Sequence, residues 1–409
     1  MVRSVSDSLM GRPLAPGERP GAVFGSRTAP LVPPIHQSTI YLLDEATYAD
    51  IQTNEGLGEV WYTRFGNPTV AAAAAEIAEL EEAPAAVMTS SGMASIATTM
   101  VALCRAGDRI VAAREIYGDT RDLFVRDLPN LGIQVDFVDS ADLDGWRRAL
   151  GTGPVRLAYA ESLSNPQLSL LDAPAVAEAA HRAGALFVVD NTFATPFMLR
   201  PLALGADVVV HSVSKFLNGH SDVVAGCVAS NLEIIREVQR RLITFGACLD
   251  PHPAFLVWRG LKTFQIRLER ETRTATLVAR FLDERQDVVK VIYPALGTYP
   301  GRAVADRLLT SDRTGAMVTF VVAGGDDRAR DLLKRLTVPA EATSLGGVET
   351  LVSMPVTSSH FSLTPDELER AGIEPGMIRL SVGLEDADGL IDDFRSALDS
   401  SLSPSQSPV

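Results

Sequence analysis

Between residues 109 and 210 the apolar positions fall in short unbroken runs rather than alternating with polar ones. Arg109–Ala113 and residues 135–138, 155–160, 186–189 and 208–210 are largely β-branched or otherwise apolar. Runs of that length and uniformity fit strands covered on both faces. Stretches with helical spacing, such as residues 173–183, lie between them, so the alternation predicts βαβ units and a mostly parallel sheet. Upstream, residues 69–82 are Ala-rich, follow Asn67-Pro68 and carry carboxylates near their end, which predicts a helix.

After this stretch the pattern changes. Residues 254–286 read as a long helical block. Beyond it, residues 316–322 and 377–382 read as strands, and residues 326–336 and 388–398 as helices. This predicts a smaller α+β unit behind the first sheet. The expected division is an N-terminal arm over residues 1–60, a large α/β domain over 61–259, a C-terminal domain over 260–399 and a disordered tail over 400–409. The arm is expected to be extended, because its sequence is rich in Gly, Pro and Ser with little periodicity.

Composition narrows the possibilities. At 409 residues, with 46% hydrophobic and 22% charged positions, the chain can bury a large core without disulfide staples. Its formal charge of −14 argues against nucleic acid and anionic membranes as partners, though not against a small anion in a local pocket. Cys104, Cys227 and Cys248 lack metal-type spacing and are expected to be buried apolar residues of a reducing compartment. No apolar run is long enough to span a bilayer and the N-terminus has no secretory h-region, so a cytoplasmic location is expected.

Candidate chemistry gathers where strands end, the edge at which α/β sheets bind ligands. Residues 186–189 run into Asp190-Asn191-Thr192, residues 208–210 into His211-Ser212-Val213-Ser214-Lys215, and residues 155–160 into Glu161-Ser162-Leu163-Ser164-Asn165. Thr89-Ser90-Ser91-Gly92-Met93-Ala94 precedes an expected helix over residues 95–103, and a small-residue turn opening a helix can seat a phosphate. A lysine for an aldehyde, an acid for a pyridine nitrogen and donors for a phosphate are what pyridoxal 5'-phosphate requires. Taken singly, Lys215 reads as a surface amine and Asp190 as a helix cap. Neighbouring strand ends carrying both make the cofactor the better reading.

On these and further segments the chain resembles the trans-sulfuration, or Cys/Met-metabolism, family of pyridoxal-phosphate enzymes. The resemblance runs from Pro33-Pro34-Ile35 to Leu384-Glu385-Asp386. Its most specific parts are Tyr62-Thr63-Arg64-Phe65-Gly66-Asn67-Pro68-Thr69, Ser90-Ser91-Gly92-Met93-Ala94, Asp190-Asn191-Thr192, His211-Ser212-Val213-Ser214-Lys215, Ser344-Leu345-Gly346-Gly347 and Ile378-Arg379-Leu380-Ser381-Val382-Gly383. It implies the aspartate-aminotransferase-like fold of type I and γ-elimination or γ-replacement on a γ-substituted L-amino acid of cystathionine, methionine or O-acylhomoserine type. It also implies a homo-oligomer, most simply a dimer of dimers with sites shared between subunits.

By the same resemblance, Lys215 bonds the cofactor's aldehyde and moves protons, and Asp190 pairs with the ring nitrogen. Gly92, Met93, Ser212 and Ser214 hold the phosphate, which Tyr62 and Arg64 reach from the adjacent subunit. Asn165 lies near the phenolic oxygen. Tyr117 stacks on the ring and serves as base or acid if a nearby cation lowers its pKa. Ser344 and Arg379 hold the substrate's α-carboxylate. The distal positions depart from the family pattern. Thr343 stands where cystathionine-handling members usually carry Glu, Asp122 where they tend to have Arg, and Asp119 where some methionine lyases carry Cys. The leaving group therefore stays open, with a non-sulfur group such as halide, or β-elimination from cystathionine or cysteine, as alternatives. A non-catalytic cofactor-binding regulator is the reading from another class.

Overall fold

The computed structural model describes residues 30–53, 57, 60–358 and 364–400. The arm expected over residues 1–60 is therefore seen only in part, and residues 401–409 of the expected tail lie outside the described residues. Where described, the arm is extended over residues 30–44 and then forms the helix Glu45–Thr53, which the sequence reading did not anticipate. Its extended part is fastened to the main body by backbone. The His36 N–H donates to Thr69 Oγ1 at 2.9 Å, and Asn67 Nδ2 donates to the His36 carbonyl at 2.8 Å.

Two sheets organise the remainder. The first has seven strands, β1 (Ala85–Thr89), β2 (Arg109–Ala113), β3 (Gln134–Val138), β4 (Leu157–Glu161), β5 (Leu186–Asp190), β6 (Val208–Ser212) and β7 (Gly226–Ser230), in the order β1-β7-β6-β5-β4-β2-β3. All pairings are parallel except the two that β7 makes with β1 and β6. Strands β1 and β7 were not foreseen. The other five lie where the apolar runs placed them, with small shifts at their ends. The central strands are buried along both faces, which is why their sequences do not alternate.

The register puts the ends of several strands on one edge. Thr89 of β1 and Ser212 of β6 both pair with Gly226, the first residue of β7, and Asp190 of β5 pairs with Glu161 of β4. Gly226 has to be glycine: a Cβ there would lie 2.1 Å from the Ser91 carbonyl oxygen. The turn after β1 therefore folds directly over the start of β7.

The block expected over residues 254–286 is two helices, Pro251–Leu261 and Phe264–Asp283, broken at Lys262-Thr263. An amphipathic helix, Leu232–Phe245, precedes them and went unread in the sequence. The second sheet contains β8 (Val288–Ile292), β9 (Met317–Val322), β10 (Ala340–Glu341), β11 (Leu351–Ser353) and β12 (Met377–Ser381), ordered β10-β11-β12-β9-β8 and antiparallel apart from β10 with β11. Helices Gly325–Arg335 and Ala387–Ser400 accompany it, close to their expected bounds. Cys104 and Cys227 are buried as expected, but Cys248 is only half-buried, in the irregular stretch after helix Leu232–Phe245. Among the described residues no helix is long and apolar enough to cross a membrane.

Candidate active site

Helix Gly92–Leu103 begins three residues earlier than its spacing suggested, so Gly92 and Met93 occupy its first turn. Ser91 caps it by accepting the Ala94 N–H at 3.0 Å, leaving the N–H groups of Gly92 and Met93 without a partner among the described residues. The helix dipole and these donors converge on the edge that carries Ser212. A Cβ on Gly92 would come within 2.7 Å of Ser212 Cβ, so only glycine lets helix and strand end meet. The Ser214 hydroxyl lies beside these residues but is engaged with the backbone of Ala225, accepting its N–H at 3.0 Å.

Asp190 ends β5 and is buried. Its Oδ1 accepts the Thr192 N–H at 2.9 Å, and Thr192 Oγ1 in turn accepts the Ser212 N–H at 2.8 Å, which ties the ends of β5 and β6 together. Burial raises the Asp190 carboxyl above its ordinary value, against the opposing pull of Thr192 and the more distant His211. Glu161, beside it on β4, is raised further, first by burial and then by the Asp190 charge. Among the described residues neither of these buried acids is bonded to a cation, and such a pair invites one.

Lys215 lies beyond β6, three residues past its end. Its Nζ donates to Ser344 Oγ at 2.9 Å, and burial followed by the Arg379 charge holds the amine below the usual lysine range. Arg379, in the middle of β12, is buried and donates from Nη1 to Asn165 Oδ1 at 3.2 Å and from Nη2 to the carbonyls of Thr343 and Ser344 at 3.0 Å. The second sheet thus delivers a guanidinium and a hydroxyl to the edge of the first.

Tyr117 opens the short helix Gly118–Asp122. Its N–H donates to Glu161 at 2.6 Å and its hydroxyl to Asp119 Oδ2 at 2.8 Å. The expected lowering of its pKa by a cation is not what this arrangement produces. Burial, then the Asp119 hydrogen bond, push the phenol up to about 12, and the opposing charge of Arg379 does not prevail. Asp119, one of the distal positions that depart from the family pattern, is thus the acceptor for this phenol.

The structure therefore brings together Gly92, Met93, Tyr117, Asn165, Asp190, Ser212, Ser214, Lys215, Ser344 and Arg379 around one edge. Tyr62 and Arg64 are engaged elsewhere in the single chain. Arg64 Nη1 donates to the Ile243 carbonyl at 2.7 Å, and its guanidinium lies over the rings of Tyr62 and Phe65. Sequence reasoning gave no role to Glu161 or Thr192. Glu161 stands out as an acid ending an apolar strand, and Thr192 as the hydroxyl two residues past Asp190.

Residues 19–399 match the family described as Cys/Met metabolism PLP-dependent enzyme. The chain belongs to this family. It is 41% identical over 374 residues to an L-methionine gamma-lyase of Fusobacterium nucleatum subsp. polymorphum, covering 90% of this chain and 93% of that one. A cystathionine gamma-lyase of Dictyostelium discoideum is 38% identical, with 93% and 95% covered. Among solved structures, cystathionine gamma synthase from Xanthomonas oryzae pv. oryzae superposes with a TM-score of 0.86 at 33% identity, covering 98% of this chain and 99% of that one.

The chain is accordingly a pyridoxal-phosphate enzyme of fold type I. Its residues fit the cofactor. A buried acid in need of a cation would suit a protonated ring nitrogen, open helix N–H groups would suit a phosphate, and an amine of lowered basicity would suit an aldehyde.

Proposed function

We propose that Lys215, Asp190, Tyr117 and Arg379 carry out γ-elimination or γ-replacement on a γ-substituted L-amino acid, with a neutral thioether of methionine type as the first substrate to try. The observation that supports it most is the Arg379–Ser344–Lys215 arrangement. A buried guanidinium fork, suited to a carboxylate, shares Ser344 with the amine that must work at the adjacent carbon. Of the relatives named above two are γ-lyases and one is a γ-synthase, which favours chemistry at Cγ over β-elimination.

Bound in the site, the cofactor supplies an electron sink that stabilises negative charge at the substrate's carbons. Everything else is done by side chains. Arg379 takes the α-carboxylate and so fixes where Cα lies. Lys215, with basicity reduced by burial, removes the Cα proton and shuttles it between carbons on the same face. Asp190 keeps the ring nitrogen protonated. Tyr117 remains protonated at neutral pH and is the acid available to a departing thiolate. Ser212 and the N–H groups of Gly92 and Met93 hold the phosphate, and Asn165 orients both Arg379 and the cofactor's phenolic oxygen.

The site is completed by a second copy of the chain, whose Tyr62 and Arg64 reach the phosphate. The exposed apolar side chains of the arm (Leu31, Ile40 and Leu42) support such a contact.

The test is product analysis after incubation with methionine, cystathionine, O-acylhomoserines and γ-haloamino acids, using the parent and Lys215→Ala. The parent is expected to give α-ketobutyrate and ammonia, and the variant to lose both turnover and the visible band of lysine-bound cofactor. Pyruvate as the main keto acid, or a variant as active as the parent, would overturn the reading.

A further inference from the structure

The reactive lysine opens a single tight turn. The Gly219 N–H donates to the Lys215 carbonyl at 2.8 Å and the Asn218 N–H to that of Val213 at 3.0 Å. No helix continues beyond it, so the carbonyls of Phe216, Leu217 and Asn218 are left facing the interior, as at the end of any helix. One side chain donates to all three, and only the Asn218 carbonyl has a second side-chain neighbour among the described residues, His220 Nδ1 at 2.7 Å. Arg267, from the first turn of helix Phe264–Asp283, donates to Phe216 O at 3.0 Å, Leu217 O at 3.3 Å and Asn218 O at 3.5 Å. The same guanidinium donates to Gly260 O at 3.2 Å, and its Nε to Thr263 Oγ1 at 3.2 Å.

Arg267 is 3% exposed, and among the described residues its guanidinium hydrogen-bonds no carboxylate. The negative ends of carbonyl dipoles serve in place of a counter-ion, while Glu271, one helical turn along, acts only through space. Two glycines make the approach possible. Gly219 has φ +73°, and a Cβ on it would lie 1.9 Å from Arg267 Nη1; a Cβ on Gly260 would lie 2.4 Å from Asn218 O. The opposite side of the turn is held by the loop that carries Ser344. A Cβ on Gly346 would come within 2.5 Å of Phe216 N, and the Val348 N–H donates to Gly219 O at 3.1 Å.

We propose that Arg267 is a positioning residue for Lys215, clamping the carbonyl side of the lysine's turn so that its amine points at the cofactor and substrate. The inference rests on the assignment of Lys215 above. A long side chain magnifies any rotation of the peptide that bears it, and a misplacement of about 1 Å at a reacting atom can cost about 10²-fold in rate. A lysine at position 267 would bring a point charge without the fork, and would satisfy fewer of the carbonyls.

Arg267→Met and Arg267→Lys, compared with the parent as full-length protein, provide the test. Circular dichroism establishes folding. Titration of cofactor-free protein with pyridoxal phosphate gives its affinity, pH titration of the visible band reports on the lysine's surroundings, and kcat and KM are measured separately. In Arg267→Met, cofactor affinity should fall about tenfold or more, the pH midpoint of the band should move, and kcat should suffer more than KM. Arg267→Lys should lie between that variant and the parent.

A folded Arg267→Met protein with the parent's affinity, midpoint and kcat overturns the clamp. If the methionine variant does not fold, Arg267→Lys decides by the same measurements. Retention of the band in the parent and its loss in Lys215→Ala check the lysine assignment independently, so failure of the clamp and failure of that assignment give different results.

Discussion

A phenol that keeps its proton has a different use from one that gives it up readily. Tyr117 is pushed to about 12 by burial and by its bond to Asp119, so near neutrality it is a donor. Asp119→Asn preserves an acceptor oxygen and removes the charge, which should lower the Tyr117 pKa. The alkaline fall of kcat should then begin at lower pH than in the parent, as a pH–rate profile would show. Lys215 and Asp190 could be singled out in the sequence because strand ends gather ligand-binding groups, whereas Arg379, in the middle of β12, stood out only through the family resemblance. Arg267 did not stand out at all, since its partners are backbone carbonyls, and nothing in the letters at 216, 217, 218 and 260 announces that they converge.

At the level of elements, the strands that were read are those with β-branched runs. Strands β1 and β7 escaped for opposite reasons. Ala85–Thr89 follows closely on an Ala-rich helix and has the composition of more helix, while Gly226–Ser230 is made mostly of small residues with little preference for extended structure. β1 is a strand only through its pairing to β7, which lies between it and β6, and pairing between residues as far apart as Ala85 and Ser230 leaves no periodic trace. Helix Phe264–Asp283, in contrast, was readable, although what it buries was not. Glu271 in its middle is fully buried, with neither carboxyl oxygen hydrogen-bonded among the described residues, and burial raises it from 4.5 to about 8 despite the opposing charge of Arg267. Between those two values the folded protein keeps a proton that the unfolded chain has lost. Stability should therefore decline as pH rises through that window, by on the order of a few kcal/mol. Glu271→Gln, a neutral mimic of the protonated group, should flatten that decline, as denaturant midpoints at mildly acidic and mildly alkaline pH would show.

Taken as a whole, the molecule draws one site from both sheets: donors and an acid from the first, a guanidinium and a hydroxyl from the second. If a neighbouring subunit adds Tyr62 and Arg64, two inactive variants should complement one another. Mixing Arg64→Ala with Lys215→Ala under conditions that exchange subunits would then restore about a quarter of the parent activity, because half of the resulting dimers are mixed and each of those has one intact site. No recovery in demonstrably mixed dimers would mean that each chain works alone. The order of the strands has a consequence for biosynthesis. The phosphate turn at residues 90–94 leaves the ribosome long before its flanks exist, since β7, inserted between β1 and β6, ends only at Ser230. A nascent chain halted before Gly226 carries the lysine, the aspartate and the Gly92–Ser212 contact but lacks the strand that pairs with both β1 and β6, so capture of the coenzyme should strengthen only once Gly226–Ser230 has been made.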